Sequence, residues 1–241
     1  MVKDINPVSD SSSPRSGIVF GGTYFFEARD GGYNYELWKS DGTEAGTALV
    51  KDINPGASGS RMKEMVEFDG MLYFRASDGA HGDELWKSDG TEAGTVMVKD
   101  IYPGTTSGSP EELTVANDIL FFQARDNNNL YYELWKTDGT EVGTVMVKDI
   151  YDGTISGYPN PQELTNLNGT LFFRVFDSTY GTELWKSNGT EEGTEMVKNI
   201  MTGDSNSYPS DLVAHKGTLY FRANSSGKGY ELWKSDGTET G

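Results

Sequence analysis

The chain has 241 residues, of which 30 are glycine and none is cysteine, and its formal net charge is −17 at pH 7. The missing cysteines exclude disulfides and thiolate metal sites. The negative charge disfavours DNA, RNA and anionic membrane surfaces as partners, since each would have to be held against the chain's own repulsion.

The chain starts Met1-Val2-Lys3-Asp4-Ile5, without the apolar region of a signal peptide. No run approaches the ~18 apolar residues of a membrane-spanning helix. The stretch Glu36-Leu37-Trp38-Lys39-Ser40-Asp41-Gly42-Thr43 then appears and returns, nearly unchanged, four more times. Its tryptophans are Trp38, Trp86, Trp135, Trp185 and Trp233, at steps of 48, 49, 50 and 48 residues. A period of that size held five times is an architecture before it is a motif.

The second unit shows what one period contains. After the loop from Asn54 to Ser60, residues 61–68 read as a first strand, and Asp69-Gly70 is a hairpin turn signal. Residues 71–76, Met-Leu-Tyr-Phe-Arg-Ala, form a second strand of nearly continuous apolar character. A polar loop to Asp83 leads into a third strand, Glu84 to Ser88, and the segment Asp89 to Thr95 turns the chain into a fourth, Val96 to Ile101. No window carries a helical apolar period. Four antiparallel strands per ~48 residues make one propeller blade. The predicted fold is all-β, a single five-bladed β-propeller with blades at 6–53, 54–101, 102–150, 151–200 and 201–241. Residues 1–5 match the fourth strand Met97 to Ile101, so they are expected to complete the last blade and close the ring.

What every unit repeats is expected to serve a need every blade shares. The five tryptophans are read as core between blades. The Glu before each Leu-Trp needs a partner when buried; a structural hydrogen bond or ion pair is expected, with Arg75, Arg174 and Arg222 as candidates. Asp-Gly-Thr is turn chemistry. Calcium is the alternative there, although the spacing lacks a dedicated calcium loop, and no other cofactor is expected.

What differs between units is expected to bind. The loops after the second strands are long and unequal, and binding residues sit on variable loops held by a rigid scaffold. The candidate ligand-binding residues are Tyr33, Asn34, Tyr35, His81, Asp83, Asn128, Tyr131, Tyr132, Tyr180 and Tyr230. Aromatic rings cover the C–H face of a sugar, and amides and carboxylates take its hydroxyls. Position 33 is Tyr, but its equivalents are His81, Leu130, Tyr180 and Lys228, so fewer than five competent sites are expected. The loop Ser156 to Asn160 belongs to the same face. The two histidines, His81 and His215, share no metal-ligand spacing, and the odd carboxylates Asp83, Asp126 and Asp177 are scattered. No catalytic residue is marked, and the expectation is that the protein is not an enzyme.

The units resemble the ELWxxDGT (hyalin-like) repeat of large bacterial extracellular proteins: Glu-Leu-Trp-x-x-Asp-Gly-Thr-x-x-Gly-Thr, then Val-Lys-Asp-Ile, then Leu-Tyr-Phe-x-Ala. Asn188 and Asn199 depart from it in the fourth unit, and the first strand of the first unit is ragged around Gly17. The resemblance implies secretion or surface display and carries no agreed catalytic residues. In blade number and unit length the chain is also similar to tachylectin-2-type five-bladed lectins. The expected function is an extracellular, lectin-like carbohydrate-binding module with a glycan or matrix polymer as partner. A self-assembling structural module and a calcium-dependent hydrolase are the alternatives.

Overall fold

A computed structural model describes residues 1–7, 11–31, 34–56, 58–128, 131–150 and 160–241. Tyr33, Leu130 and most of the loop from Ser156 therefore lie outside the described residues. The chain divides into two compact units, Met1–Glu111 and Glu112–Gly241.

The first unit holds two four-stranded antiparallel sheets. One is β1 (Arg15–Phe20), β2 (Thr23–Arg29), β3 (Tyr35–Ser40) and β4 (Ala48–Lys51); the other is β5 (Lys63–Phe68), β6 (Met71–Ser77), β7 (Asp83–Ser88) and β8 (Val96–Lys99). The second unit holds three sheets. They are β9 (Glu111–Ala116) through β10 (Ile119–Ala124) and β11 (Glu133–Thr137) to β12 (Val145–Lys148); β13 (Gln162–Leu167), β14 (Thr170–Asp177), β15 (Gly181–Ser187) and β16 (Glu195–Lys198); and β17 (Ser210–His215), β18 (Thr218–Ser225) and β19 (Gly229–Ser235). β9 starts on the last residue of the first unit and otherwise belongs to the second. Strands are paired in chain order within each sheet. All four segments read as strands in the second repeat are strands, to within two residues at each end.

The hairpin joining the first two strands of each sheet has both central residues at positive φ, as at Asp69 (47°) and Gly70 (69°). That is a type I′ turn, whose twist matches its strands. The first strand of a repeat also carries a bulge, seen between Arg15 and Ile18, Lys63 and Val66, Gln162 and Thr165, and Ser210 and Val213. Inside it Ser16, Glu64, Glu163 and Asp211 sit at φ between 53° and 63°, and Glu112 on β9 does so too. A left-handed residue with a side chain costs about 1–2 kcal/mol. In the second unit two of these carboxylates return something: Glu112 accepts from Leu164 N–H and Glu163 from Leu212 N–H, both at 3.3 Å, so each ties its sheet to the next.

Each core lies between consecutive sheets. In the first unit Phe25, Leu37, Val50 and Ile53 meet Leu72, Phe74, Ala76 and Trp86 of the following sheet. In the second, Phe121, Leu134, Val147 and Ile150 meet Leu171, Phe173, Val175 and Trp185. Trp38, Trp86, Trp135 and Trp185 are buried, as expected of core; Trp233 is only partly so.

The remaining consensus positions are fastenings. Asp41 Oδ1 accepts from Thr43 N–H and Oγ–H, at 2.9 and 2.7 Å, and closes the Asp-Gly-Thr turn around Gly42 at φ 90°. A Cβ on Gly46 would overlap that carboxylate, which is why the second glycine recurs. Lys39 Nζ donates to Gly90 O of the next sheet's turn, as Lys136 does to Gly189 O and Lys186 to Gly237 O, at 2.7–3.0 Å. Lys51 Nζ donates to Thr95 O in the same way at 2.8 Å.

Residues 1–5 carry no strand, and among the described residues the fifth sheet has three strands. Lys3 Nζ nevertheless donates to Thr47 O at 2.7 Å, the contact that Lys51 makes to Thr95. Ile5 packs on Phe26, Ala28 and Trp38 as Ile53 packs on Phe74, Ala76 and Trp86. Met1–Ile5 thus lies on the first sheet as the end of a preceding blade would.

Candidate functional site

The repeated Glu is not a site. Glu36 is buried and accepts from Ile53 N–H at 2.8 Å and Ser60 N–H at 3.1 Å. Glu84 accepts from Ile101 N–H at 2.9 Å and Gly108 N–H at 2.7 Å. Glu183 accepts from Ile200 and Met201 N–H groups and from Ser207 Oγ. The carboxylate knits the chain leaving the fourth strand to its own third strand. The partners are backbone amides and not the arginines proposed from sequence: Arg75 pairs with Glu111, and Arg174 with Gln162 Oε1 and Pro209 O. Burial pushes Glu36 up to about 7 and Glu84 to about 8, against the opposing pull of those amides; Glu183 is raised for the same reason.

Two of the three scattered carboxylates are turn caps. Asp126 Oδ1 accepts from Asn128 N–H, and Asp177 Oδ1 from Thr179 and Tyr180 N–H. His81 Nδ1 lies 2.7 Å from Asp78 Oδ2, and that hydrogen bond raises its pKa. Among the described residues no group of three or more His, Asp or Glu side chains is placed to hold a metal.

In the first unit a cavity of about 520 Å³ opens between the two sheets. Arg15 and Glu27 line it from β1 and β2, Lys63 and Arg75 from β5 and β6, Asp83 from the start of β7, and Arg61 from the loop before β5. Glu27 is fully buried and committed: it accepts from Arg15 Nε and, at 3.2 Å, from Met62 N–H. Arg15 also lies over the Tyr35 ring, 3.8 Å from its centroid. Arg61 Nη2 stands 2.9 Å from Asp83 Oδ1, an ion-pair distance off the hydrogen-bonding direction, since that oxygen has no hydrogen-bond partner.

A second cavity, about 330 Å³, shares Arg61 with the first. Its lining includes Asn54, Ser58 and Thr105, from the loops that follow fourth strands, and Ser77 at the end of β6. Together the two form a polar groove on the long-loop side of the first unit.

Of the residues expected to bind, Asp83 lines the groove, and Tyr35 supports it through Arg15. Asn34 spends its amide on Gly56 O at 3.0 Å, beside the same loop. His81 faces Asp78. In the second unit Tyr132 lies near Arg125 and Tyr230 under Arg222, while Tyr180 is exposed. A smaller cavity there, about 170 Å³, is lined by Asn160, Gln162, Arg174, Thr182 and Tyr208, and contains none of the expected aromatics. The sequence reading missed Arg15, Arg61 and Lys63, and gave Arg75 a different partner. No local signal marks them: residues 15–75 hold seven Lys and Arg against nine Asp and Glu, in a chain with 20 Lys and Arg in all.

No protein-family model matches the chain, and no curated protein does. Solved structures do. Puromycin hydrolase aligns with a TM-score of 0.57 and 13% identity over 97% of this chain and 38% of its own. A structure from a study of two prolyl endopeptidases aligns at 0.55 and 12%, over 94% and 34%. The chain therefore spans little more than a third of the proteins it resembles. At this identity the likeness establishes the fold, of β-propeller type. It also corrects the expectation of a non-enzyme: the matching chains are hydrolases, so the fold gives no ground for setting catalysis aside. No described helix is long and apolar enough to cross a membrane.

Proposed function

We propose that the groove of the first unit seats a polyhydroxyl ligand, a carbohydrate, in the service of hydrolytic chemistry. The observation that carries this reading is the pair of cavities joined at Arg61 and walled by amide, hydroxyl and guanidinium groups. Such walls match a ligand rich in hydroxyls, with few apolar surfaces to cover. The propeller fold shared with hydrolases supports the hydrolytic part, and the ELWxxDGT resemblance supports an extracellular setting with a glycan or matrix polymer as partner. The test is an oligosaccharide array read twice, for retention of the protein and for new reducing ends. Retention that is lost in Ser58→Ala combined with Thr105→Ala, both at exposed positions of the lining, supports the reading. An array with neither retention nor cleavage refutes it.

Self-association is the second reading, favoured by one feature of β17–β19. Leu232 is 78% exposed, whereas Leu37, Leu85, Leu134 and Leu184 at the same position are 0–1% exposed. Tyr220 beside it is also exposed, where Phe25, Tyr73, Phe121 and Phe172 are buried. In the first, third and fourth sheets this face is the one a following sheet covers. A second copy of the chain is the occupant we assign to it.

A further inference from the structure

The cavity between the first two sheets has a charge that the rest of the chain does not. Arg15, Arg61, Lys63 and Arg75 line it, against Glu27 and Asp83; Glu111, the partner of Arg75, adds a third carboxylate. Arg15 pairs with Glu27, Arg61 with Asp83 and Arg75 with Glu111, which leaves the Lys63 ammonium as the unmatched positive charge, in a chain of −17.

Two of the cations are held there at a cost. Arg75 is 6% exposed, and its Nε has no hydrogen-bond partner. An unsatisfied buried donor on a charged group is among the more expensive arrangements a fold tolerates. Arg61 has φ 52°, a left-handed conformation that a long side chain rarely adopts. The residue three before the bulge is left-handed in every repeat, as Ser13, Arg61, Ser109, Asn160 and Tyr208. Asn suits that backbone and stands there in the fourth repeat, so Arg61 is not a conformational choice. Strain kept at a cavity wall is a reason to look for a ligand.

The equivalent cavity of the second unit serves as an internal contrast. Its Arg174 donates Nε and Nη2 to Gln162 Oε1, at 3.2 and 2.6 Å, and Nη1 to Pro209 O at 3.2 Å. That guanidinium is spent on its own walls, and the cavity is a third the size.

We propose that the first-unit cavity binds a carboxylate, carried by a uronic acid residue of a carbohydrate that lies in the adjoining polar groove. This deepens, and rests on, the reading of the groove as a carbohydrate site. One unmatched positive charge balances a monoanion and not a dianionic phosphate. Lys63 supplies that charge, and the Arg61 guanidinium, which makes no hydrogen bond to Asp83 Oδ1, offers its planar fork to a carboxylate through two parallel N–H···O bonds. Ser58 and Thr105, exposed across Arg61, are placed for the hydroxyls of the same or the next sugar.

The experiment is calorimetric titration of the whole chain with oligomers of galacturonate, mannuronate and glucuronate. Carboxyl-reduced versions of the same oligomers and a sulfated neutral oligomer are titrated in parallel. The expected result is that one uronate oligomer binds at least tenfold tighter than its reduced form, with affinity falling as salt rises. Arg61→Ala, at a side chain 63% exposed and so safe for folding, is expected to lower the uronate affinity about tenfold. It should cost the reduced oligomer, whose hydroxyls lose no ion pair, less affinity than the uronate, and leave the melting temperature unchanged. Equal binding of acid and reduced oligomers overturns the carboxylate assignment while the groove reading stands. A sulfated oligomer bound as tightly as the uronate overturns it too, as does a uronate affinity untouched by Arg61→Ala. Binding of none of the oligomers overturns both readings.

Discussion

Glu84 shows how a repeated residue acquires a pH-dependent cost. Its carboxyl is fully buried and its pKa stands near 8, far above the ordinary value of the unfolded chain. A group whose pKa is raised on folding contributes stability at low pH and loses it as pH rises through the folded value. Glu36, near 7, and Glu183 act in the same sense. The melting temperature is therefore expected to fall steadily between pH 5 and pH 9, as followed by circular dichroism. Glu84→Gln should flatten that slope. It should also cost about 1–3 kcal/mol at pH 5, because its NH₂ meets a backbone N–H that the carboxyl oxygen accepted. Parallel curves for wild type and variant would show that Glu84 does not titrate on unfolding. Gly94 tests packing at the same scale. A Cβ there would overlap the Asp89 carboxylate, so Gly94→Ala is expected to lower stability by roughly 2 kcal/mol in chemical denaturation.

At the scale of the element, the strands were legible in the sequence and their fastenings were not. Asp69-Gly70 and the apolar run at 71–76 state a hairpin by themselves, because turn chemistry and alternation are local. Lys39 shows what is lost. Its constancy was visible, but its acceptor, Gly90 O, lies 51 residues on in the next sheet. The groove was illegible for a related reason. Attention to long loops finds Asp83, but Arg15 and Arg75 stand on strands, and nothing in the letters of Arg61 announces a left-handed backbone. The bulge offers a clean prediction. Ser16 sits at φ 53°, and glycine adopts that conformation freely. Ser16→Gly is expected to raise stability by about 1 kcal/mol. Glu163→Gly is expected to gain little, since it also loses the bond to Leu212 N–H.

For the whole molecule, sequence comparison foresaw five sheets of common design, and the structure contains them. The strand expected from residues 1–5 is not formed, and the fifth sheet shows three strands. Leu232 separates the consequences. If its face is free in the monomer, Leu232→Lys changes stability by less than about 0.5 kcal/mol, while Leu134→Lys costs more than about 3 kcal/mol. Sedimentation velocity at rising concentration should show self-association that Leu232→Lys removes. A monomer at all concentrations, with Leu232→Lys as damaging as Leu134→Lys, would mean that the chain covers this face itself.

The claim on which the functional account rests is that the groove joined at Arg61 is where the ligand sits. A crystal structure of the chain soaked with a uronate oligomer tests it directly. Saccharide density is expected between Arg61, Arg75, Ser58 and Thr105, with a carboxylate on the arginine side. Ordered saccharide on the exposed Tyr180 or Tyr230 instead, with this groove empty, would contradict it.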